Sequence, residues 1–79
     1  MTLQQLRCFT AVAKNLNFRR AAEQLYISQP AVTRQVQLLE AELGVPLFQR
    51  VQRHIVLTDA GRNFYSDAVD ILDRVEFAR

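Results

Sequence analysis

The sequence predicts a mainly α fold: a winged helix-turn-helix of three helices and a two-stranded wing, followed by a long linker helix. Three observations carry this expectation. Two amphipathic segments are separated by a break of only three residues, Tyr26-Ile27-Ser28. Beyond Pro46 the apolar spacing shortens into two β-prone runs, Leu47-Phe48-Gln49-Arg50 and Ile55-Val56-Leu57. From 59 to 79 the apolar residues return at alternating steps of four and three, the a/d spacing of paired helices. The division is therefore a winged helix-turn-helix over 1–58 and a linker or pairing helix over 59–79.

Each element has its own local cause. Thr2 and Gln5 form a T-x-x-Q capping box, and Leu3, Leu6, Phe9 (or Thr10) and Ala13 continue at helical spacing. Asn15 and Asn17 punctuate the end of this first helix. Asn17 caps a short second helix, Phe18 to Leu25, with Phe18, Ala22 and Leu25 on one face; Ala21 and Ala22 allow a close neighbour. Ser28 is a suitable N-cap for the third helix, and Pro30 falls in its first turn, where a missing N–H costs nothing. Val32, Val36, Leu39 and Leu43 form its apolar stripe over 29–43, Gly44 supplies the C-cap and Pro46 stops continuation. The two β-prone runs then form a hairpin, the wing 47–57, across Val51-Gln52-Arg53-His54. Thr58 caps the last helix, with Asp59 at the positive end of its dipole.

Composition bounds the function. Seventy-nine residues, 49% apolar and 23% charged, describe one packed domain and no disordered tail. So short a chain buries only about 60% of its unfolded surface, so well-packed helices or a partner chain must supplement the core. One Cys cannot form an intramolecular disulfide, and one Cys with one His cannot build a structural zinc site. The longest stretch without a charge, Gln24 to Thr33, is ten residues, well short of a membrane span, and no export signal opens the chain. The expectation is a cytoplasmic protein with no membrane association. An enzyme is the weakest class: there is no Gly-rich phosphate loop and no carboxylate pair beyond a solvated helix face.

The net charge of +2 conceals a division. Residues 1–62 carry eight basic and four acidic side chains, whereas 63–79 carry two basic and four acidic ones. Nine of the ten basic residues are Arg, whose planar fork suits phosphates and guanine edges. With the stripe of the third helix turned to the core, Pro30, Arg34, Gln37 and Ala41 point outward and Thr33 lies on the shoulder. A recognition helix meets a DNA major groove with its N-terminal end, which favours Gln29, Pro30, Thr33 and Arg34 as base contacts. Arg19 and Arg20 oppose the dipole of the second helix in its first turn, a misfit that a docked phosphate would relieve. Arg50 and Arg53 bracket the wing turn, placed for the backbone or the minor groove. Asn17 and Thr58, the latter first of all a cap and then through its hydroxyl or the adjoining N–H groups, complete the expected backbone contacts. For each group the alternative is an ordinary solvated face. His54 reads as an exposed neutral His, and Cys8 as a small buried hydrophobe on the first helix.

The final helix carries more apolar surface than this body needs. Phe64, Ala68, Ile71, Val75 and Ala78 make one line, with Tyr65, Val69 and Leu72 beside it. One line can fold back on the first helix while the other pairs with a second copy. The expected dimer contacts are Phe64, Ala68, Ile71, Leu72, Val75 and Ala78. The seam is still running at Arg79, as in a chain cut before a further domain.

Several stretches resemble the LysR-type transcriptional regulators: Leu3-Gln4-Gln5-Leu6-Arg7-Cys8-Phe9, Phe18-Arg19-Arg20-Ala21-Ala22-Glu23-Gln24-Leu25 and Ser28-Gln29-Pro30-Ala31-Val32-Thr33-Arg34-Gln35-Val36. So do Leu38-Leu39-Glu40-Ala41-Glu42-Leu43-Gly44-Val45-Pro46-Leu47-Phe48-Gln49-Arg50 and Leu57-Thr58-Asp59-Ala60-Gly61. The similarity runs without a gap from 1 to about 65 and continues along the last helix as pattern only. It implies a bacterial DNA-binding domain that reads an interrupted palindrome as a dimer, in antiparallel linker pairing. It also implies a larger effector domain elsewhere in the intact protein, binding a small-molecule co-inducer and often building a tetramer; no cofactor is expected in residues 1–79. Family base-reading positions match Gln29, Pro30, Thr33 and Arg34, and the wing Arg positions match Arg50 and Arg53. The wing turn departs from the family in lacking a Gly or small residue, and Tyr26 stands where His or Asn is frequent. The rival is a winged helix used only for protein association, which predicts negligible binding to any duplex.

Overall fold

The computed structural model describes residues 1–78, with side chains through Glu76. The order is α1 (Leu3–Asn15), α2 (Phe18–Leu25), α3 (Gln29–Leu43), β1 (Phe48–Val51), β2 (His54–Leu57) and α4 (Asp59–Ala78). Capping sets the helix starts. Thr2 Oγ1 accepts from the Gln5 N–H and Gln5 Oε1 accepts from the Thr2 N–H, both at 3.0 Å. Asn17 Oδ1 accepts from the Arg20 N–H at 2.9 Å, and Ser28 Oγ from the Ala31 N–H at 3.2 Å. All three helices end on a left-handed residue: Leu16 (φ 49°), Tyr26 (φ 58°) and Gly44 (φ 75°). At Tyr26 this reversal lets the Ile27 N–H reach back to the Ala22 carbonyl at 3.1 Å, closing the helix within the three-residue turn.

The core has two halves with α1 between them. On one side Cys8 and Val12 meet Ala21 and Ala22 of α2 and Val32 and Val36 of α3. On the other, Leu6 and Phe9 meet Leu39, Leu47 and Ala68, with Phe64, Tyr65 and Leu72 packed alongside. Phe9 is the hub, its ring 5.5 Å from Phe48, 5.4 Å from Phe64 and 6.3 Å from Tyr65 between centroids. Burying a side chain of this size contributes roughly 1.5–3 kcal/mol. Cys8 is fully buried in the first half, and burial pushes its thiol pKa up.

The wing is tighter than the sequence implies. Phe48 pairs with Leu57 and the ladder continues to Val51 opposite His54, leaving a two-residue loop, Gln52-Arg53. Both loop residues are left-handed, at φ 50° and 70°, the primed turn that suits the twist of a hairpin. Val51 and His54 therefore belong to strands, not to a four-residue turn. Leu47, expected to open the first strand, precedes it and is fully buried.

The wing meets α4 through a short set of bonds. The Thr58 N–H donates to the Leu47 carbonyl at 3.0 Å, and Thr58 Oγ1 accepts from the Gly61 N–H at 3.0 Å. Gly61 admits the crossing: a Cβ there would lie 2.1 Å from the Leu47 carbonyl oxygen.

This packing takes Ala68 out of the expected pairing seam on α4. Ala68 is fully buried inside its own domain, so it has no surface to offer a partner. Phe64 and Leu72 also pack against the second half of the core, because α4 lies back along α1. Ile71 is exposed and Val75 half-buried, so these two keep an outward apolar surface. The side chain of Ala78 lies outside the described residues.

Candidate nucleic-acid interface

The first turns of α3 present Gln29, Pro30 and Arg34 to solvent, with Thr33 half-buried beside them. The four residues share one shallow depression with Gln37. This follows from the stripe opposite: Val32 and Leu39 are fully buried and Val36 almost so, which turns positions 30, 34 and 37 outward. A second groove adjoins the first, lined by Phe18, Thr33, Gln37, Glu40, Phe48 and Arg50 among others. The start of α2, the outer face of α3 and the wing thus converge, and Thr33 and Gln37 border both concavities.

Arg19 and Arg20 are exposed in the first turn of α2, Arg34 on α3, and Arg50 and Arg53 on the wing. None of these five guanidinium groups forms an ion pair among the described residues; the ion pairs there are Met1 with Glu42 and Arg62 with Asp59. Unneutralised Arg side chains on converging elements make a surface suited to a polyanion. The described residues contain no group of three or more His, Cys, Asp or Glu able to hold a metal ion, and no helix long and apolar enough to cross a membrane.

Comparison with known proteins agrees with this geometry. Residues 3–62 match the family described as "Bacterial regulatory helix-turn-helix protein, lysR family". The chain belongs to that family. The chain is 57% identical, over 96% of its length, to the probable cat1 operon transcriptional activator of Acinetobacter lwoffii, and spans 25% of that protein. It is 49% identical over its whole length to the Hca operon transcriptional activator HcaR of Escherichia coli K12, spanning 27% of it. The chain therefore covers about a quarter of these relatives. Among solved structures, the DNA-binding domain of CbnR in complex with DNA superposes with a TM-score of 0.91 at 47% identity, over 99% of this chain and 90% of that one. The corresponding BenM domain on its benA site 1 DNA gives 0.92 at 41% identity, over 99% and 88%.

Within this lysR-family domain the expected contact residues do not all stand alike. Asn17 spends Oδ1 on its cap, which leaves its amide nitrogen for an outside acceptor. At Thr58 only the adjoining N–H groups are left for such a contact. Its hydroxyl has one proton, donated to the Pro46 carbonyl at 2.7 Å, so it has none to give a phosphate in this arrangement. Two residues are added. Gln37, which the helical wheel turned outward but ranked behind the N-terminal positions, lines both concavities. Glu40 lines the second groove, and its Oε2 accepts from the Leu47 N–H at 2.7 Å and the Phe48 N–H at 3.3 Å. No local motif announces Glu40, since its partners are backbone groups of a different element.

Proposed function

We propose that the chain is the sequence-specific DNA-binding domain of a bacterial transcriptional regulator, reading an interrupted palindromic operator as a homodimer. In this reading α3 enters the major groove and Gln29, Pro30, Thr33 and Arg34 contact base edges. Gln pairs with adenine, Arg with guanine, and the carbons of Pro and Thr meet a thymine methyl. Asn17, Arg19, Arg20, Arg50 and Arg53 hold the backbone or the minor groove. Phosphate neutralisation supplies most of the affinity and the groove contacts supply discrimination. The observation that supports this best is the convergence of five unpaired Arg side chains with the exposed start of α3, in a chain similar to domains solved on DNA.

Dimerisation is assigned to the outer face of α4, with Ile71 and Val75 at its centre. A small-molecule co-inducer, bound by an effector domain of the intact protein, and a tetrameric full-length form complete the proposal. The site is cytoplasmic and no catalytic role is assigned. Fluorescence anisotropy against duplexes selected from a random pool tests it. Tight, salt-sensitive binding to one selected sequence is expected. Negligible binding to every duplex at low salt would instead establish the association-only alternative. Sedimentation, with and without the selected duplex, reports the dimer.

A further inference from the structure

We propose that Glu40 is the positioning residue of the wing, fixing the hairpin against α3 so that Arg50 and Arg53 meet the duplex in register with Arg34. The inference rests on the DNA-binding reading above. A two-stranded hairpin is marginal alone and takes its direction from what holds its base. Here the base is gripped at Leu47 from two sides. Its carbonyl accepts from the Thr58 N–H, and its N–H donates to Glu40, which also takes the Phe48 N–H. The Glu40 bonds tie the wing directly to the recognition helix. Glu40 follows Thr33 by seven residues and Gln37 by three, so all three lie along the same groove-facing side of α3, with Arg50 across from them.

An acid on the face offered to a polyanion is electrostatically adverse, and this separates positioning from a bystander role by sign. Were Glu40 merely a charge beside the duplex, removing it would tighten binding. If it holds the wing, truncation weakens binding although a repulsive charge is lost. Both amide donors converge on the same carboxylate oxygen, Oε2, so the carbonyl oxygen of Gln can replace it.

The test is an anisotropy titration of the chain against its selected duplex and a scrambled one, across a salt series. The variants are Glu40→Ala, Glu40→Gln, and Arg50→Ala with Arg53→Ala, each at a temperature where circular dichroism shows it folded. Glu40→Ala should raise Kd about tenfold, the scale of a lost charge-assisted contact. It should also flatten the salt slope by up to about 1.8, or ~0.9 for each wing Arg released. Glu40→Gln should bind at least as tightly as the parent. In the chain lacking both wing Arg side chains, Glu40→Ala should weaken binding no further. Tighter binding by Glu40→Ala, failure of Glu40→Gln to restore affinity, or equal weakening without the wing Arg residues would each overturn the proposal. Glu40→Met replaces the alanine variant if that one unfolds. Should the parent bind no duplex, the DNA-binding reading itself fails. Amide exchange at Leu47 and Phe48, faster in Glu40→Ala and restored in Glu40→Gln, then still reads the tether.

Discussion

Gly61→Ala puts two general rules in opposition at one atom. Gly61 lies inside α4, where replacement by Ala ordinarily gains about 1 kcal/mol of helix propensity. The added Cβ would lie 2.1 Å from the Leu47 carbonyl oxygen, 3.1 Å from its carbonyl carbon and 3.0 Å from Leu57 Cδ2. Relief requires α4 and Leu47 to separate by more than an ångström. Leu47 cannot retreat freely: its side chain is fully buried, its N–H is held by Glu40 and its carbonyl by the Thr58 N–H. Overpacking of this kind costs ~1–3 kcal/mol, and losing the Thr58 bond adds ~1. Against the propensity gain, the net expectation is about 2 kcal/mol of destabilisation. At roughly 4–8 °C per kcal/mol for a domain this size, Tm should fall by about 10 °C. Thermal melting by circular dichroism reads this directly, and a urea series at fixed temperature checks it. An unchanged or higher Tm would mean the crossing is looser than described and would remove the argument for how the wing is seated.

Other perturbations separate affinity, discrimination and stability. Arg34→Ala should lower the specific-to-nonspecific ratio by about tenfold, the scale of one bidentate base contact, in a gel-shift competition; intact discrimination would remove Arg34 from the reading face. Arg19→Ala should weaken all sequences about equally and reduce the salt slope by ~0.9, while slightly stabilising α2 by relieving its dipole. Arg53→Gly should raise Tm, because a left-handed non-glycine residue costs of order 1 kcal/mol, yet weaken duplex binding in the same preparation. Cys8 should resist alkylation in the folded chain at pH 8 and react on unfolding in urea. Because burial raises its folded pKa, the stability tied to the neutral thiol is present below the ordinary thiol range. It is lost as rising pH ionises the unfolded chain first, so the urea midpoint should fall there, and less so in Cys8→Ala.

What could be read from the sequence is what local chemistry encodes. Thr2 with Gln5, Asn17, Ser28 and Gly44 act within a few residues of themselves, and each caps where its side chain or φ freedom implied. The stripe Val32, Val36, Leu39 implies its own opposite face, so the exposure of Pro30, Arg34 and Gln37 followed from it. The errors lie where the partner is distant in sequence. Periodicity shows that α4 has two apolar lines but not which one α1 covers, and Ala68 lies in the covered one. Thr58 could be recognised as a cap, but the acceptor of its proton, Pro46, is twelve residues away. Nothing in the sequence singles out Glu40, because backbone donors leave no signature in the residues that carry them. The wing turn is shorter than its sequence suggests because Gln52 and Arg53 do not advertise a left-handed conformation.

That last discrepancy shares a cause with the Arg pair of α2. Left-handed Arg53, and Arg19 and Arg20 against a helix dipole, are local choices that stability alone would not favour. All three lie on elements assigned to the DNA, and a chain this short has little surplus to absorb them. The offset comes from α4. Phe64, Tyr65, Ala68 and Leu72 lengthen the core across Phe9. On the proposed function, Arg19, Arg20 and Arg53 give up local stability for contact with phosphate, and the packing of α4 offsets it. Shortening α4 before Ala68 should therefore impair folding before it impairs recognition, and the same truncation in an Arg53→Gly background should be partly rescued in Tm but not in affinity.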